Sequence, residues 1–99
     1  MRSTDVEWRR LVKWLKSAFP LQLPIYIRRK KKLKDFGYTY FDGNTIHIEI
    51  LIDKSFDTMK DSLLHEYAHA VALSEVYSHK GCWGTLYGEI YQKWEIWNQ

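Results

Sequence analysis

The stretch Leu63-Leu64-His65-Glu66-Tyr67-Ala68-His69-Ala70-Val71-Ala72-Leu73 decides how this chain is read. Its apolar residues, with Val76 just beyond, cover nearly the whole circumference of a helix. Ser55 or Asp57 can cap that helix, which the pattern carries to about Ser78. A helix apolar on almost every side belongs in the middle of a protein, where two histidines and a glutamate are costly unless something satisfies them. His65 and His69 stand four residues apart, so both rings leave one face, one turn above the other. Two imidazoles at that spacing can share one Zn²⁺ at about 2.0–2.1 Å each. Glu66 is turned about 100° from His65 and about 60° from His69, so it can reach a water beside the metal without binding the metal. Two ligands and one general base are the division of labour of the HExxH pattern.

Catalytic zinc takes three protein ligands and keeps one position open. His79, in the polar loop Ser78-His79-Lys80-Gly81, is the leading third ligand, with Glu89 and Glu75 as alternatives. Cys82, three residues after His79, offers a different outcome. With His65, His69 and His79 it would close a four-ligand site, giving a nucleic-acid-associated zinc module without catalysis. Asp61, one turn before His65, is placed to orient a ligand or to face water. His47, the remaining histidine, falls on the wet side of a strand and is expected at the surface or the cleft rim.

Upstream, Val6, Trp8, Leu11, Val12, Leu15 and Phe19 recur at helical spacing from Asp5 to about Ala18, and Pro20 ends the helix. Leu21, Leu23, Ile25 and Ile27 alternate with polar or aromatic residues as in a strand, with Pro24 confining its first half to an edge or lead-in. Phe36 to Phe41 reads as a second strand, Asp42-Gly43-Asn44 as a turn, and Thr45 to Ile52 as the returning arm of a hairpin. In that arm Ile46, Ile48, Ile50 and Ile52 form a core face. Trp83, Leu86, Tyr87, Ile90, Tyr91, Trp94 and Trp97 mark a last helix, packed as core. Gly84 and Gly88 lie one turn apart on another face, where a neighbouring backbone could come close.

With 99 residues and sixteen aromatic ones, the chain has material for one modest core and no more than one domain. Cys82 is the only cysteine, so no internal disulfide forms, which suits a reducing compartment. No window approaches the roughly 18 apolar residues of a membrane span, and the first residues do not resemble a signal peptide. A soluble, cytoplasmic, monomeric protein is therefore expected. The formal charge of +3 is local: six of the fifteen basic residues are Arg28, Arg29, Lys30, Lys31, Lys32 and Lys34. This patch is a candidate DNA contact, or simply a solvated hairpin tip.

The segment from Leu63 to Trp97 resembles the SprT-like metallopeptidases, including short bacterial and phage members. The matching pieces are Leu64-His65-Glu66-Tyr67-Ala68-His69-Ala70, then His79, with the aromatic Trp83 four residues later. The family's second segment usually reads His-Gly-x-x-aromatic, whereas here Lys80 follows the histidine and the glycine is Gly81. The resemblance implies a zincin-like α+β fold over residues 1–99, one zinc ion and proteolysis, and some relatives act on proteins bound to DNA. The expected architecture is an N-terminal helix, a small three-stranded, mostly antiparallel sheet, a buried HExxH helix and a C-terminal helix. In the expected chemistry His65, His69 and His79 hold zinc, and Glu66 is the general base acting on a protein or peptide substrate. Zincins commonly pair an extended substrate with a strand beside the active helix, and the Thr45–Ile52 strand is the candidate here.

Overall fold

The computed structural model describes residues 4–53, 55–74 and 83–98. Helix α1 spans Thr4–Ala18, with Asp5 and Glu7 in its first turn and Lys16 in its last, a charge order that complements the helix dipole. Its buried stripe is Trp8, Leu11, Trp14 and Leu15, while Val6 is exposed. Three strands follow: β1 (Ile25–Lys30), β2 (Gly37–Phe41) and β3 (Ile46–Leu51). Helices α2 (Phe56–Ser74) and α3 (Trp83–Trp97) complete the chain. The expected continuation of α2 to Ser78 lies outside the described residues, as do Glu75, His79, Gly81 and Cys82 and the side chains of Trp83 and Leu86.

The sheet departs from the mostly antiparallel arrangement. Its order is β1-β3-β2, with β2 antiparallel to β3 and β1 parallel to it. The β2–β3 hairpin is the expected one. Asp42 Oδ1 accepts from the amides of Asn44 and Thr45 at 2.9 and 2.8 Å, and Gly43 adopts φ +103°, which only glycine takes readily. Residues 31–36, however, are not the tip of a hairpin between β1 and β2. They cross the end of β3, whose last residues reach both flanks: the Leu51 amide donates to Phe36 and the Ile52 amide to Lys30. The physical reason is that β3 alone presents three fully buried isoleucines, Ile46, Ile48 and Ile50, and so takes the centre. β1 follows Pro24, which has no amide proton to give, and it carries Arg28 and Lys30 outward, so it suits an edge. Ile52 lies beyond β3 and is exposed.

Arg29 alternates to the inner side of β1, donates to Asp5 at 2.7 Å and lies 5.2 Å above the Trp8 ring, tying β1 to α1. Helix α2 packs against β2, β3, α1 and α3, which makes it the centre of the molecule. Ser55 is its cap: the Ser55 hydroxyl accepts from the Thr58 amide at 3.3 Å. On its core side lie Met59, Leu63, Leu64, Tyr67, Ala68, Ala70 and Val71, and the Tyr67 hydroxyl donates to the Phe19 carbonyl at 2.7 Å. Helix α3 contributes Ile90 and Trp94, with Trp94 edge-on to Trp14 at 5.2 Å. Trp97 is half exposed and capped by the Arg10 guanidinium at 4.3 Å. Among the described residues no atom comes within 4 Å of where a Gly88 Cβ would stand, so none of them makes a close backbone approach there.

Candidate metal centre

Helix α2 is not buried all round. Asp61, His69 and Leu73 are exposed and His65 is partly so, which leaves one open stripe along an otherwise enclosed helix. The expectation that the histidines lie in an apolar interior is therefore corrected. The apolar residues along the sequence do cover most of the helix, but Asp61, His65, His69 and Leu73 fall at successive turns on the one side left partly open. Histidines on this stripe need no buried partner to be tolerated, and they are accessible to a ligand. The buried polar member of the motif is Glu66, which is 8% exposed.

The His65 and His69 rings are 5.0 Å apart between centroids and inclined at 73°. The ring of Tyr87 stands edge-on to His65 at 5.6 Å. His69 has its pKa held below the usual histidine value, chiefly by the part of the ring that is packed; the nearby His65 adds to this and Glu66 opposes it. At neutral pH His69 is therefore the neutral imidazole that a metal requires.

Glu66 projects from α2 toward β2. Its Oε1 accepts a short bond, 2.6 Å, from the Thr39 hydroxyl, which also lies 3.2 Å from the Glu66 main-chain carbonyl. Its Oε2 is 3.9 Å from His65 Nε2. The side chain fits because Gly37 faces it: a Cβ there would stand 2.8 Å from Glu66 Cγ. Between β2 and the open stripe lies a cleft of about 520 Å³, walled by Phe36, Gly37, Asp61, His65, Glu66 and Tyr87. Tyr87 is thus a cleft residue as well as a packing residue, and burial raises its pKa, with the Asp61 charge reinforcing the shift. Asp61 shares the cleft wall with His65 and is also 3.9 Å from Lys60.

His47 lies on the other side of the sheet. It stacks on Tyr40 at 4.7 Å between ring centroids, and its Nε2 is 2.8 Å from Asp42 Oδ2. Because an arginine can only donate, the 3.1 Å contact with Arg28 makes Nδ1 the acceptor and leaves Nε2–H to donate to Asp42. The bonds to Asn44, His47 and Thr45 pull the Asp42 pKa down to about 2. His47 therefore fastens the hairpin turn and is not at the cleft rim.

The donor chemistry suits zinc: two imidazoles one turn apart on the open stripe of α2, of which His65 lines the cleft, beside a carboxylate that is held separately. Among the described residues no group of three or more His, Cys, Asp or Glu side chains gathers to hold a metal. Glu89 is on α3, 3.2 Å from Lys93, and does not join His65 and His69 in such a group. His79, Glu75 and Cys82 lie outside the described residues. Thr39 and Gly37 are the site residues that sequence reasoning missed. The signal was a glycine at the head of a strand with a threonine two residues on, both on the face that alternation turns toward the helix.

The chain matches no protein-family model, no curated protein and no solved structure. Among the described residues no helix is long and apolar enough to cross a membrane.

Proposed function

We propose that this chain is a zinc-dependent metallopeptidase in which His65, His69 and His79 hold one zinc ion and Glu66 is the general base. The observation that carries the reading is the placement of Glu66, a buried carboxylate in the wall of an open cleft, beside a solvent-facing pair of histidines. The resemblance of Leu63–Trp97 to the SprT-like metallopeptidases and their zincin-like fold supports the same reading. Zinc, when bound, would supply Lewis acidity toward a water and a substrate carbonyl. Glu66 would take the proton of the attacking water and return it to the leaving amine. Its Oε2, the oxygen not engaged by Thr39, is the one turned toward His65.

The substrate strand cannot pair with β3, because β1 and β2 occupy both of its edges. The outer edge of β2, which begins at the cleft with Gly37, replaces it as the candidate for β-augmentation by an extended protein segment. Arg28 and Lys30, exposed on the outer face of the sheet, together with Lys31, Lys32 and Lys34 remain the candidate DNA contact. Arg29, paired with Asp5, is withdrawn from that patch.

Glu66→Gln tests the assignment. The variant should bind one zinc per chain and lose hydrolysis of an unfolded protein such as reduced casein, whereas full activity would refute the mechanism. In parallel, Cys82→Ser should leave the zinc content unchanged. Loss of zinc would favour the closed, non-catalytic site instead.

A further inference from the structure

The structure assigns to Thr39 and Gly37 of β2 the positioning of the Glu66 carboxylate, an inference that rests on the peptidase reading. A glutamate on a helix turns about three side-chain bonds and, beside open solvent, samples several rotamers. Here two contacts from one strand restrict it. The Gly37 backbone occupies the space next to Glu66 Cγ, where any side chain would displace it. The Thr39 hydroxyl holds Oε1 at 2.6 Å, a length typical of a bond to a charged acceptor. Threonine is stiff about its first side-chain bond, so the hydroxyl is set before the carboxylate arrives.

The two oxygens of Glu66 are thereby given different tasks. Oε1 is held, and Oε2 lies 3.9 Å from His65 Nε2 in the wall of the cleft, where it is the oxygen assigned to take the proton. Because Thr39 also lies 3.2 Å from the Glu66 carbonyl, the same hydroxyl sets the height of α2 against β2. Gly37 lies next to the edge proposed to bind substrate, so strand and base move as one unit. A substrate segment added to β2 would therefore be registered directly against the group that acts on it.

The experiment uses the zinc-loaded full chain and an unfolded protein substrate. Thr39→Val, which keeps the shape and removes the hydroxyl, should lower kcat roughly 10- to 100-fold, with KM within about twofold and zinc content unchanged. Thr39→Ser should recover to within about threefold of the wild type. If Thr39 only fastened the strand to the helix, Thr39→Val would melt at a lower temperature but keep its kcat per zinc-loaded molecule, and that result would overturn the inference. A second measurement does not depend on activity. The drop in Tm caused by Thr39→Val should shrink in a Glu66→Ala background, since the partner is already gone. Equal drops in both backgrounds would also overturn it. A zinc-loaded wild type without hydrolysis would instead sink the peptidase reading and the catalytic half of the inference with it, leaving the Tm cycle to judge the contact.

Discussion

Adding one methyl group at Gly37 should destabilise the protein, against the usual direction for a glycine with ordinary backbone angles. The new Cβ would stand 2.8 Å from Glu66 Cγ, 3.1 Å from Ile50 Cδ1 and 3.2 Å from Glu66 Oε2. Carbon atoms prefer about 3.5–4.0 Å, so Glu66 Cγ has to retreat by about 1 Å. The Ile50 methyl is the free end of a side chain and can yield. Glu66 Cγ is mid-chain, fixed by α2 on one side and by Thr39 on the other, and its retreat breaks the 2.6 Å bond. Overpacking of this kind costs about 1–3 kcal/mol, while restricting the unfolded chain returns about 0.4–1 kcal/mol. The net loss is about 1 kcal/mol, or roughly 4–8 °C in Tm for a domain of this size. Gly88→Ala is the matched control: it is in a helix with nothing within 4 Å among the described residues, so it should gain about 0.5–1 kcal/mol. Thermal melts of the metal-free protein in EDTA separate the two. If Gly37→Ala stabilises as much as Gly88→Ala does, β2 does not approach Glu66 as described, and the seating of that side chain is wrong.

Two further outcomes are expected. Tyr67→Phe removes the donor to the Phe19 carbonyl from a phenol that burial pushes up to about 12, and it should cost about 1–2 kcal/mol in urea unfolding; an unchanged midpoint would mean that the carbonyl is satisfied otherwise. His69 binds its proton less readily when folded than the 6.5 of the unfolded chain, so the metal-free protein should be fully stable above that pH and lose stability as pH falls below it. The Tm gained on adding zinc should shrink over the same interval as protons compete for the imidazoles, and His69→Ala should flatten both trends. A pH slope identical in wild type and variant would remove His69 from the account.

The helices and the hairpin could be read from the chain because their signals are local. Trp8, Leu11 and Leu15 repeat at helical spacing, Asp42-Gly43-Asn44 dictates a turn, and the isoleucines of β3 alternate without a break. The motif residues His65, Glu66 and His69 were equally legible as a group. Strand order was not, because alternation says which side of a strand is buried and nothing about its neighbours. The parallel pairing of β1 with β3 follows only from competition among three strands for the one central place. Nor could the apolar count of α2 show its open stripe, since that stripe is made by Asp61, His65 and His69 with Leu73, and a count of apolar residues does not register where the polar ones line up. Thr39 was hidden for a different reason: a threonine in a strand is ordinary by propensity, and only the third dimension puts it against a glutamate twenty-seven residues away.

The placement of β3 between two strands that precede it in the chain also orders the assembly of the sheet. β2 and β3 are joined by a tight turn and can pair within microseconds of meeting. β1 pairs with β3 alone, so it has no strand partner until β3 is available, and the pairing closes the whole of the intervening chain into a loop. Both ladders therefore depend on the strand that comes last in the chain, and the β2–β3 ladder is the one closed by the shorter loop. Until β3 emerges, β1 and the basic segment after it wait unpaired, and their positive charges keep that waiting edge from pairing with another chain.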